Sequence, residues 1–395
     1  MKNRKRLLWL LPYLPFPPLS GGNVRVFNLL KHLAEELDIH LLSFIEPGTS
    51  PGNVSRLSDL CGSVNAVTRK PREGELPLIF QDYYTAEMRS ALAEALKERY
   101  DFIQIDFLTM AYYAKDIKEA AKDTPLLFTE HDVSWMDFEK CFHNRHLRDR
   151  DRYFEWVRMG KLIDDLYSLF DTVITVSAND ALILGRKYPG KKIFTAPTGT
   201  DCGYYSFKRD RKVNDIVYTG HYVHYPNVDS VNYLIEEIYP LVRSKCREIR
   251  LFVVGSGGER VFHGLKKDGV TVTGTVSDIR PFLHKCGMFV APVRIGVGIR
   301  GKILEAMACG LPVITSELGA AGIGALNGVH LLTAESPEEF ARCAEMIISD
   351  RKMSLDMSDR ARRFVEEKYD WRVRATELLN VYNMAKGSGS GDMPG

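Results

Sequence analysis

The segment from residue 294 to residue 310 combines glycines with basic side chains at a spacing that suits a phosphate ligand. It follows an apolar run typical of a strand and continues into a helical pattern, and the N–H groups that open a helix bind anions. Glycines let the backbone approach a ligand closely. Basic side chains there oppose the helix dipole by about 0.3–1 kcal/mol, a penalty that a bound anion would reverse. The segment predicts a diphosphate site made by Arg294, Gly296, Gly298, Arg300 and Lys302.

Glu305 lies about one helical turn further along this segment. The two oxygens of a carboxylate can accept hydrogen bonds from both hydroxyls of a ribose, so this position predicts a nucleoside contact. The alternative is a basic surface turn followed by a core helix, in which Glu305 only complements the helix dipole. Ile303, Leu304 and Met307 do form an apolar stripe, and this alternative stays open.

Gly296, Gly298 and Gly301 also match the Gly-x-Gly-x-x-Gly fingerprint of dinucleotide-binding domains. Glu317 ends the next predicted strand, where such domains place an acid that binds ribose. However, the fingerprint normally opens its domain, whereas here it comes late in the second half of the chain. The helix that follows it is barely two turns long, and too little chain remains for a complete dinucleotide half. An NAD-dependent oxidoreductase is therefore the weaker interpretation.

The elements that must position these residues recur in a regular order. Short apolar runs alternate with helical patterns, which is typical of an α/β protein with parallel sheets covered on both faces, and 395 residues suggest two domains. In the first half, the predicted strands are Leu7–Leu11, Ile39–Phe44, Val64–Val67, Phe102–Ile105, Leu126–Phe128, Thr172–Val176 and Lys192–Ala196. In the second half, they are Asp215–Thr219, Arg250–Val254, Val270–Thr273, Met288–Pro292, Leu311–Thr315 and His330–Leu332.

The predicted helices lie between these strands and continue after the last one. They are Val24–Glu36, Tyr84–Glu98, Ala111–Lys122, His146–Phe170, Asn227–Val242, Pro337–Ser349, Leu355–Lys368 and Val373–Ala385. We expect domains over residues 1–198 and 199–368, a helix over residues 369–386 that returns to the first domain, and a flexible tail over residues 387–395. Because parallel sheets bind ligands at the carboxyl ends of their strands, we expect the active site in a cleft between the two domains.

Composition excludes several classes of protein. A net charge of +2 gives no signal for nucleic-acid binding by the whole chain. The seven cysteines form no C-x-x-C pair, which argues against a zinc site or a disulfide framework and favours the cytoplasm. The basic start followed by Leu7–Leu11 imitates a signal peptide, but prolines interrupt the apolar run and no cleavage site follows. We expect a buried first strand, and peripheral contact with a membrane remains open.

The pattern from Arg294 to Val313, Arg-x3-Gly-x3-Lys-x-Leu-Glu-Ala-Met-Ala-x-Gly-x-Pro-Val, resembles retaining glycosyltransferases of family 4, which have the GT-B fold. Shorter motifs of the family follow in the expected order over nearly the whole chain. They are Ser20-Gly21-Gly22, Val173–Ser177, Pro197-Thr-Gly-Thr-Asp201, Val254–Gly257, Val272–Asp278 and Tyr369-Asp-Trp371. The segment Tyr218–Asp229 resembles a subgroup associated with exopolysaccharide synthesis.

The resemblance implies two Rossmann-like domains that face each other across a cleft and a nucleotide-sugar donor bound mainly by the second. It adds Gly21 and Gly22 to the residues that line the donor diphosphate. It also implies that the base and ribose are bound at the strand ends of the second domain. The residues implied there, with Glu305, are Gly220, Gly255, Thr275 and Val276.

Two departures from the family pattern affect the site. The family commonly has a Glu-x7-Glu pair whose second member corresponds to Glu305, but its first member would fall at Val297. The Arg and Lys that many members carry after the first strand of the second domain are also missing, and His221 and His224 occupy that region. Neutralising the diphosphate would therefore depend on the basic residues of the 294–310 segment.

In the first domain, Thr129-Glu130-His131-Asp132 follows a predicted strand. Family members often have a histidine here that contacts the donor sugar, so the resemblance implies this role for His131, oriented by Glu130 and Asp132. His131 and Glu305 are therefore the candidate catalytic residues. Asp106, at the preceding strand end, and Asp132 are weaker candidates for the acceptor site. The alternative is a histidine that caps a strand end or joins a local charge network.

The Asp149-Arg-Asp151 sequence matches the metal motif of the other large glycosyltransferase fold. It lies within a helical run of charges, so we interpret it as a solvated face and expect no metal. Aromatic residues flank this helix, and we expect them to pack in the core, with an acceptor groove for a saccharide or lipid-linked saccharide as the alternative. These aromatics are Trp135, Phe138, Phe142, Tyr153, Phe154 and Trp156.

The sequence thus predicts transfer of a sugar, of the hexosyltransferase type, from a nucleoside-diphosphate sugar to a hydroxyl acceptor. The resemblance implies retention of configuration. No cofactor is expected. A noncatalytic GT-B subunit that binds a glycan or a partner protein is the other alternative, because the first Glu of the family pair is missing.

Overall fold

The computed structural model describes residues 4–18, 20–70, 76–136, 149–209, 211, 214–296 and 298–387. Its contacts divide the chain into two compact units, one made of Met1–Pro197 with Arg374–Gly395 and the other of Thr198–Val373. Each unit has one parallel sheet covered by helices.

The first unit contains a seven-stranded sheet in the order β3-β2-β1-β4-β5-β6-β7, with every neighbouring pair parallel. Its strands are β1 (Lys5–Leu11), β2 (Leu37–Ile45), β3 (Ser63–Thr68), β4 (Phe102–Asp106), β5 (Leu126–Glu130), β6 (Thr172–Thr175) and β7 (Ile193–Thr195). The strand order reverses between β1 and β4, and doubly wound sheets bind ligands in the crevice that such a reversal opens at the carboxyl ends of the strands.

Helices cover this sheet. They are α1 (Gly21–Leu33), α2 (Pro51–Ser58), α3 (Leu78–Gln81), α4 (Ala86–Ala95), α5 (Ala114–Ala120), α6 (Asp149–Leu169) and α7 (Ala178–Lys187). Short 3-10 turns occupy Leu108–Tyr113 and Ser134–Met136. Neither α2 nor α7 has a counterpart among the predicted helices. The apolar pattern of α7 is short, although Ser177 caps its start by accepting from the N–H of Asp180.

The second unit contains a six-stranded parallel sheet in the order β10-β9-β8-β11-β12-β13. Its strands are β8 (Ile216–Thr219), β9 (Leu251–Val254), β10 (Val270–Gly274), β11 (Met288–Ala291), β12 (Val313–Thr315) and β13 (Leu332–Thr333). The reversal point here lies between β8 and β11, so the loops after these two strands border the ligand crevice expected of this topology.

The helices of the second unit follow the predicted alternation. They are α8 (Tyr225–Tyr233), α9 (Tyr239–Lys245), α10 (Gly258–Val261), α11 (Arg280–Lys285), α12 (Gly301–Ala308), α13 (Glu317–Ala320), α14 (Pro337–Ser349) and α15 (Arg351–Tyr369). The last helix, α16 (Trp371–Gly387), begins in this unit and belongs to the first unit from Arg374 onward.

The single helix predicted over Asn227–Val242 consists of three parts. A π-helical turn, Leu234–Ile238, joins α8 to α9. Pro240 lies at the start of α9 and has no N–H to donate to the carbonyl four residues earlier. The π-helical turn, whose hydrogen bonds span five residues, accommodates this break without ending the helix.

Two arginine side chains, the buried Arg211 and the partly buried Arg362, hold the C-terminal end of α12. Arg211 donates to the carbonyls of Cys309 and Gly310, and Arg362 donates to the carbonyl of Ala308 at 2.6 Å. Carbonyls at the end of a helix lack partners within it, and cations there complement the helix dipole. These contacts fix the helix whose opposite end carries the predicted phosphate site.

The described residues also limit what else the fold offers. None of their helices is long and apolar enough to cross a bilayer. None of their His, Cys, Asp and Glu side chains form a group of three or more that could hold a metal ion.

Candidate active site

In the second unit, two glycines bring the ends of β8 and β9 into close contact. Gly255 has a φ of +133°, and a Cβ added to it would lie 2.0 Å from the carbonyl oxygen of Gly220. The N–H of Gly220 donates to the carbonyl of Val254 at 3.0 Å. Only a residue without a side chain allows this approach. The predicted nucleoside residues Gly220 and Gly255 therefore form one tight backbone corner at the carboxyl edge of the sheet.

Gly296 and Gly298 follow β11 in the loop that leads to α12. Their φ angles are +120° and +79°, so both lie in the region that favours glycine. Val297, between them, lies outside the described residues, so the structure gives no information on the position of the missing first Glu. The Arg300 guanidinium donates to the carbonyl of Gly298, which ties the loop to the start of α12.

Lys302, in the first turn of α12, contacts two residues of neighbouring elements. Its Nζ donates to the hydroxyl of Tyr218 at 2.9 Å and to Oδ1 of Asn227 at 2.6 Å, and it lies 4.4 Å from the centre of the Tyr218 ring. Burial, opposed by the charge of Glu305 and aided by that of Arg300, lowers the pKa of Lys302 to about 7. Two neutral oxygens thus hold this ammonium group at the start of α12, where an anionic ligand would favour its charged form.

Arg294 is engaged within the protein. Its guanidinium makes two hydrogen bonds with the carboxylate of Asp229, at 2.7 and 3.1 Å, and lies 4.2 Å from the centre of the Tyr233 ring. The Asp229 hydrogen bond raises the pKa of Arg294. The Nε–H and one N–H of Nη2, which form one bidentate edge of the guanidinium, are therefore already engaged. For this edge to bind a diphosphate, Arg294 would have to exchange Asp229 for the ligand.

Glu305 lies on α12 and has a hydrogen bond with Tyr205. Burial raises the pKa of Glu305, whereas the Tyr205 hydroxyl and the charge of Lys302 oppose this shift. The sequence does not predict Tyr205, and it indicates Tyr218 and Asn227 only as part of the Tyr218–Asp229 motif, because each contacts α12 from a distant position in the chain. Spacing within one motif carries no signal for such contacts.

The remaining predicted nucleoside residues follow β10. Thr275 is exposed, and Val276 is half-buried beside the core of the second unit. His221 and His224, which occupy the place of the family's missing Arg and Lys, are both exposed. Nδ1 of His221 lies 2.5 Å from the Ser256 hydroxyl. The carboxyl edge of this sheet thus combines polar side chains, the Gly220 and Gly255 corner and the partly buried Lys302.

In the first unit, His131 and Asp106 lie together at the ends of β5 and β4. Nε2 of His131 is 3.0 Å from Oδ2 of Asp106, and Asp106 is buried. The ring of Phe107 stacks on His131 with a centroid distance of 3.6 Å and an interplanar angle of 9°. Phe107 has a φ of +70°, a strained conformation for a bulky side chain that clusters at functional sites. Asp106 therefore lies beneath His131 and not on an exposed acceptor surface.

Gly21 and Gly22 begin α1, next to this pair in the fold of the first unit. Ser20 caps the helix through the N–H of Asn23. A Cβ on Gly22 would lie 2.2 Å from the Tyr13 hydroxyl and 2.8 Å from the Phe107 ring, whereas Gly21 has nothing within 4 Å. Gly22 thus leaves room for the Phe107 ring, which stacks on His131. Gly21 leaves open space at the start of α1.

Asp132 and Glu130 flank His131 but have different environments. Asp132 is exposed, and its Oδ1 accepts from the backbone N–H of Ser134 at 2.8 Å. Glu130 is buried, and its Oε2 accepts from Tyr167 at 2.7 Å and from Trp135 at 3.1 Å. Neither carboxylate hydrogen-bonds His131, so the predicted orienting role of this pair has no direct contact to support it.

Substitution of Glu130 by glutamine is expected to stabilise the protein, and more so at higher pH. Burial raises the pKa of Glu130 from 4.5 to about 8. Between these two values the folded state binds more protons than the unfolded state, so the Glu130 contribution to stability is present below about pH 4.5 and is lost as the pH rises to about 8. The variant removes this loss and keeps an oxygen acceptor. Urea unfolding should give it an advantage larger at pH 8 than at pH 5.5, by on the order of 2 kcal/mol. An equal difference at the two pH values would contradict the buried titration.

The remaining predictions concern the region around α6. Residues 137–148 lie outside the described residues, and with them Phe138, Phe142 and the predicted helix start at His146. Asp151 is exposed. Trp135 is buried as predicted, and Trp156 donates to its carbonyl at 2.9 Å. The core-packing prediction is wrong for Tyr153 and Phe154, which are 54% and 58% exposed.

Two protein-family models match the chain. Glycosyltransferase Family 4 matches residues 19–204, and Glycosyl transferases group 1 matches residues 213–350. The chain is also 20% identical over 376 residues to an uncharacterized 44.6 kDa protein in the cps region of Klebsiella pneumoniae, a match that covers 90% of this chain and 94% of that protein.

Solved structures share this fold. A glycosyltransferase from Rickettsia africae has a TM-score of 0.67 at 15% identity, with 97% of this chain and 99% of that chain covered. Anabaena HepE in complex with UDP-glucose has a TM-score of 0.62 at 14% identity, with 96% and 99% covered. Both family models describe glycosyltransferases, which removes support for the oxidoreductase interpretation. The chain belongs to glycosyltransferase family 4, a family of retaining enzymes with the GT-B fold.

Proposed function

We propose that the second unit binds a nucleoside-diphosphate sugar and that the enzyme transfers its sugar to a hydroxyl group of a saccharide or lipid-linked acceptor. The observation that carries this proposal is Lys302, whose ammonium group is held by Tyr218 and Asn227 in the first turn of α12, beside the glycine loop. Transfer leaves negative charge on the departing diphosphate, and fixed cations aimed at developing charge are a large source of catalysis.

The proposal divides the donor among three parts of the site. Lys302, Arg300 and the N–H groups of α12 bind the diphosphate, with Arg294 available after exchange from Asp229. Glu305 binds the ribose, and its contact with Tyr205 is consistent with a carboxylate held in place for that purpose. The base lies at the corner formed by Gly220 and Gly255 and beside the loop after β10.

His131 is proposed to contact the donor sugar. We infer a cytoplasmic enzyme, because six described cysteines are free thiols. The resemblance of Tyr218–Asp229 to a subgroup associated with exopolysaccharide synthesis supports a polysaccharide as the class of product.

A thermal-shift panel tests this function. UDP, GDP or ADP should raise the Tm, because a ligand present at about 100 times its Kd adds about 2.7 kcal/mol to folded-state stability. NAD should not. Incubation of the enzyme with sugar derivatives of the nucleotide that raises the Tm should then release the nucleoside diphosphate. Stabilisation without any turnover would favour the noncatalytic alternative, and stabilisation by NAD alone would contradict the proposal.

A further inference from the structure

A chain of buried hydrogen bonds connects α16 to His131. The Tyr382 hydroxyl donates to Oε1 of Gln104. The amide nitrogen of Gln104 donates to Oδ1 of Asp106 at 2.7 Å, and the indole N–H of Trp9 donates to the same oxygen at 2.8 Å. The second oxygen of Asp106, Oδ2, is the one that faces Nε2 of His131, at 3.0 Å. All of these contacts lie within the first unit.

The donors around Asp106 determine its ionisation. Burial alone would raise the pKa of Asp106, but hydrogen bonds from His131, Gln104 and Trp9 hold it below the usual value. A carboxylate that accepts several hydrogen bonds is stabilised as the anion. Because ionised Asp106 has no proton to donate, the hydrogen atom between Oδ2 and Nε2 must belong to His131.

His131 itself is held neutral. Burial lowers its pKa, and the charge of the buried Arg25 acts in the same direction, whereas Asp106 and the exposed Asp132 oppose the shift. A neutral imidazole carries one N–H, and the other nitrogen is an acceptor. Phe107 fixes the plane of the ring by stacking on it. Within the described ranges, no side chain or backbone group hydrogen-bonds Nδ1 of His131.

We infer that Asp106 holds His131 in the tautomer protonated at Nε2, so that His131 presents Nδ1 as a hydrogen-bond acceptor to a hydroxyl group of its ligand. Sugar hydroxyls can donate to such an atom, whereas an ionised phosphate oxygen cannot. Asp106 is thus a positioning residue, and Gln104, Trp9 and Tyr382 orient it in turn. The sugar contact rests on the proposed function, but the tautomer does not.

Substitution of Asp106 by asparagine gives a sharp test. Trp9 and Gln104 both donate to the Oδ1 position, so the asparagine oxygen should occupy it and the amide nitrogen should take the place of Oδ2. That nitrogen would donate to Nε2 and force the proton of His131 to Nδ1. The variant therefore turns the presented acceptor into a donor while nearly keeping the shape of the side chain.

Nitrogen-15 NMR of protein labelled at histidine reads the tautomer directly, and the spectrum of His131→Gln assigns the signal of His131. We expect the proton on Nε2 in the unsubstituted protein, on Nδ1 in Asp106→Asn, and again on Nε2 in the control Asp165→Asn, which changes an exposed carboxylate on α6. A proton on Nδ1, or on both nitrogens, in the unsubstituted protein would overturn the inference. The spectrum of the unsubstituted protein tests the inference even if Asp106→Asn does not fold.

Turnover separates this inference from the proposed function. In Asp106→Asn, the release of UDP from UDP-glucose or another accepted donor should fall about 10- to 100-fold, the effect of leaving a buried polar group mispaired. Affinity for UDP, which has no sugar, should stay within about 2-fold of the unsubstituted value. If the unsubstituted protein has the Nε2 tautomer but turns over no nucleotide sugar, the proposed function alone is contradicted. If Asp106→Asn has its His131 proton on Nδ1 but keeps full turnover, only the sugar contact of His131 is contradicted.

Discussion

Replacement of Lys302 by alanine is expected to lower kcat for sugar transfer by about 10²–10³-fold, the usual effect of removing one fixed donor from a site of developing negative charge. Lys302 is a partly buried cation in the first turn of α12, and Tyr218 and Asn227 aim its ammonium group. Steady-state kinetics of nucleotide release, with the Tm measured in parallel, checks the effect. Because desolvation disfavours the charged form of Lys302, its loss should not lower the Tm substantially. Unchanged kcat in a folded variant would remove the phosphate assignment.

The pH dependence of nucleotide binding tests the same residue in another way. The pKa of Lys302 is lowered to about 7 in the free protein. A bound diphosphate favours the charged form, so binding should take up a proton and the affinity for UDP should weaken as the pH rises above about 7. Lys302→Arg supplies a matched control, since arginine stays protonated throughout this range. Calorimetric titration at several pH values should show the loss of affinity in the unsubstituted protein and a much flatter profile in the variant.

The sequence predicts those features of the fold that depend on local periodicity. Buried parallel strands such as Leu7–Leu11 and Met288–Pro292 stand out because a short apolar run bounded by polar turns is typical of such a strand. Helix α7 is not predicted: it has only ten residues, and Leu184 is the one residue among them that is buried. The π-helical turn before Pro240 is not predicted either, because proline indicates a break but not how the backbone accommodates it.

The candidate site was predictable only where its residues form one contiguous motif. Arg300, Lys302 and Glu305 share one strand-loop-helix segment, so their types and spacing are enough to indicate them as candidates. The ion pair between Arg294 and Asp229 was not foreseen, since its partners are 65 residues apart and join different elements. Likewise, the sequence indicates Asp106 only as a weaker acceptor-site candidate at a strand end, whereas the structure places Trp9 and Gln104 against it.

Gly255→Ala is expected to lower the Tm strongly, because it adds a methyl group at the tight backbone corner of the second sheet. The new Cβ would lie 2.0 Å from the carbonyl oxygen of Gly220, which is backbone and cannot rotate away, and the φ of +133° strains any L residue. Strain of this kind costs about 1–3 kcal/mol before the clash is counted, so a total loss of at least ~3 kcal/mol is expected. Thermal unfolding at fixed pH and ionic strength measures it.

Gly264→Ala is the matched control, because it separates backbone strain from collision. Gly264 also has a positive φ, +79°, but has nothing within 4 Å of an added Cβ. Its substitution should cost only the strain of a left-handed residue, about 1–2 kcal/mol. Since Gly220 and Gly255 form the proposed base corner, Gly255→Ala should also lose the Tm increase produced by UDP, whereas Gly264→Ala should keep it. Equal destabilisation by the two variants would mean that the backbone at Gly220 and Gly255 can move to accommodate the added methyl group. A full Tm increase by UDP in Gly255→Ala would mean that the base binds elsewhere.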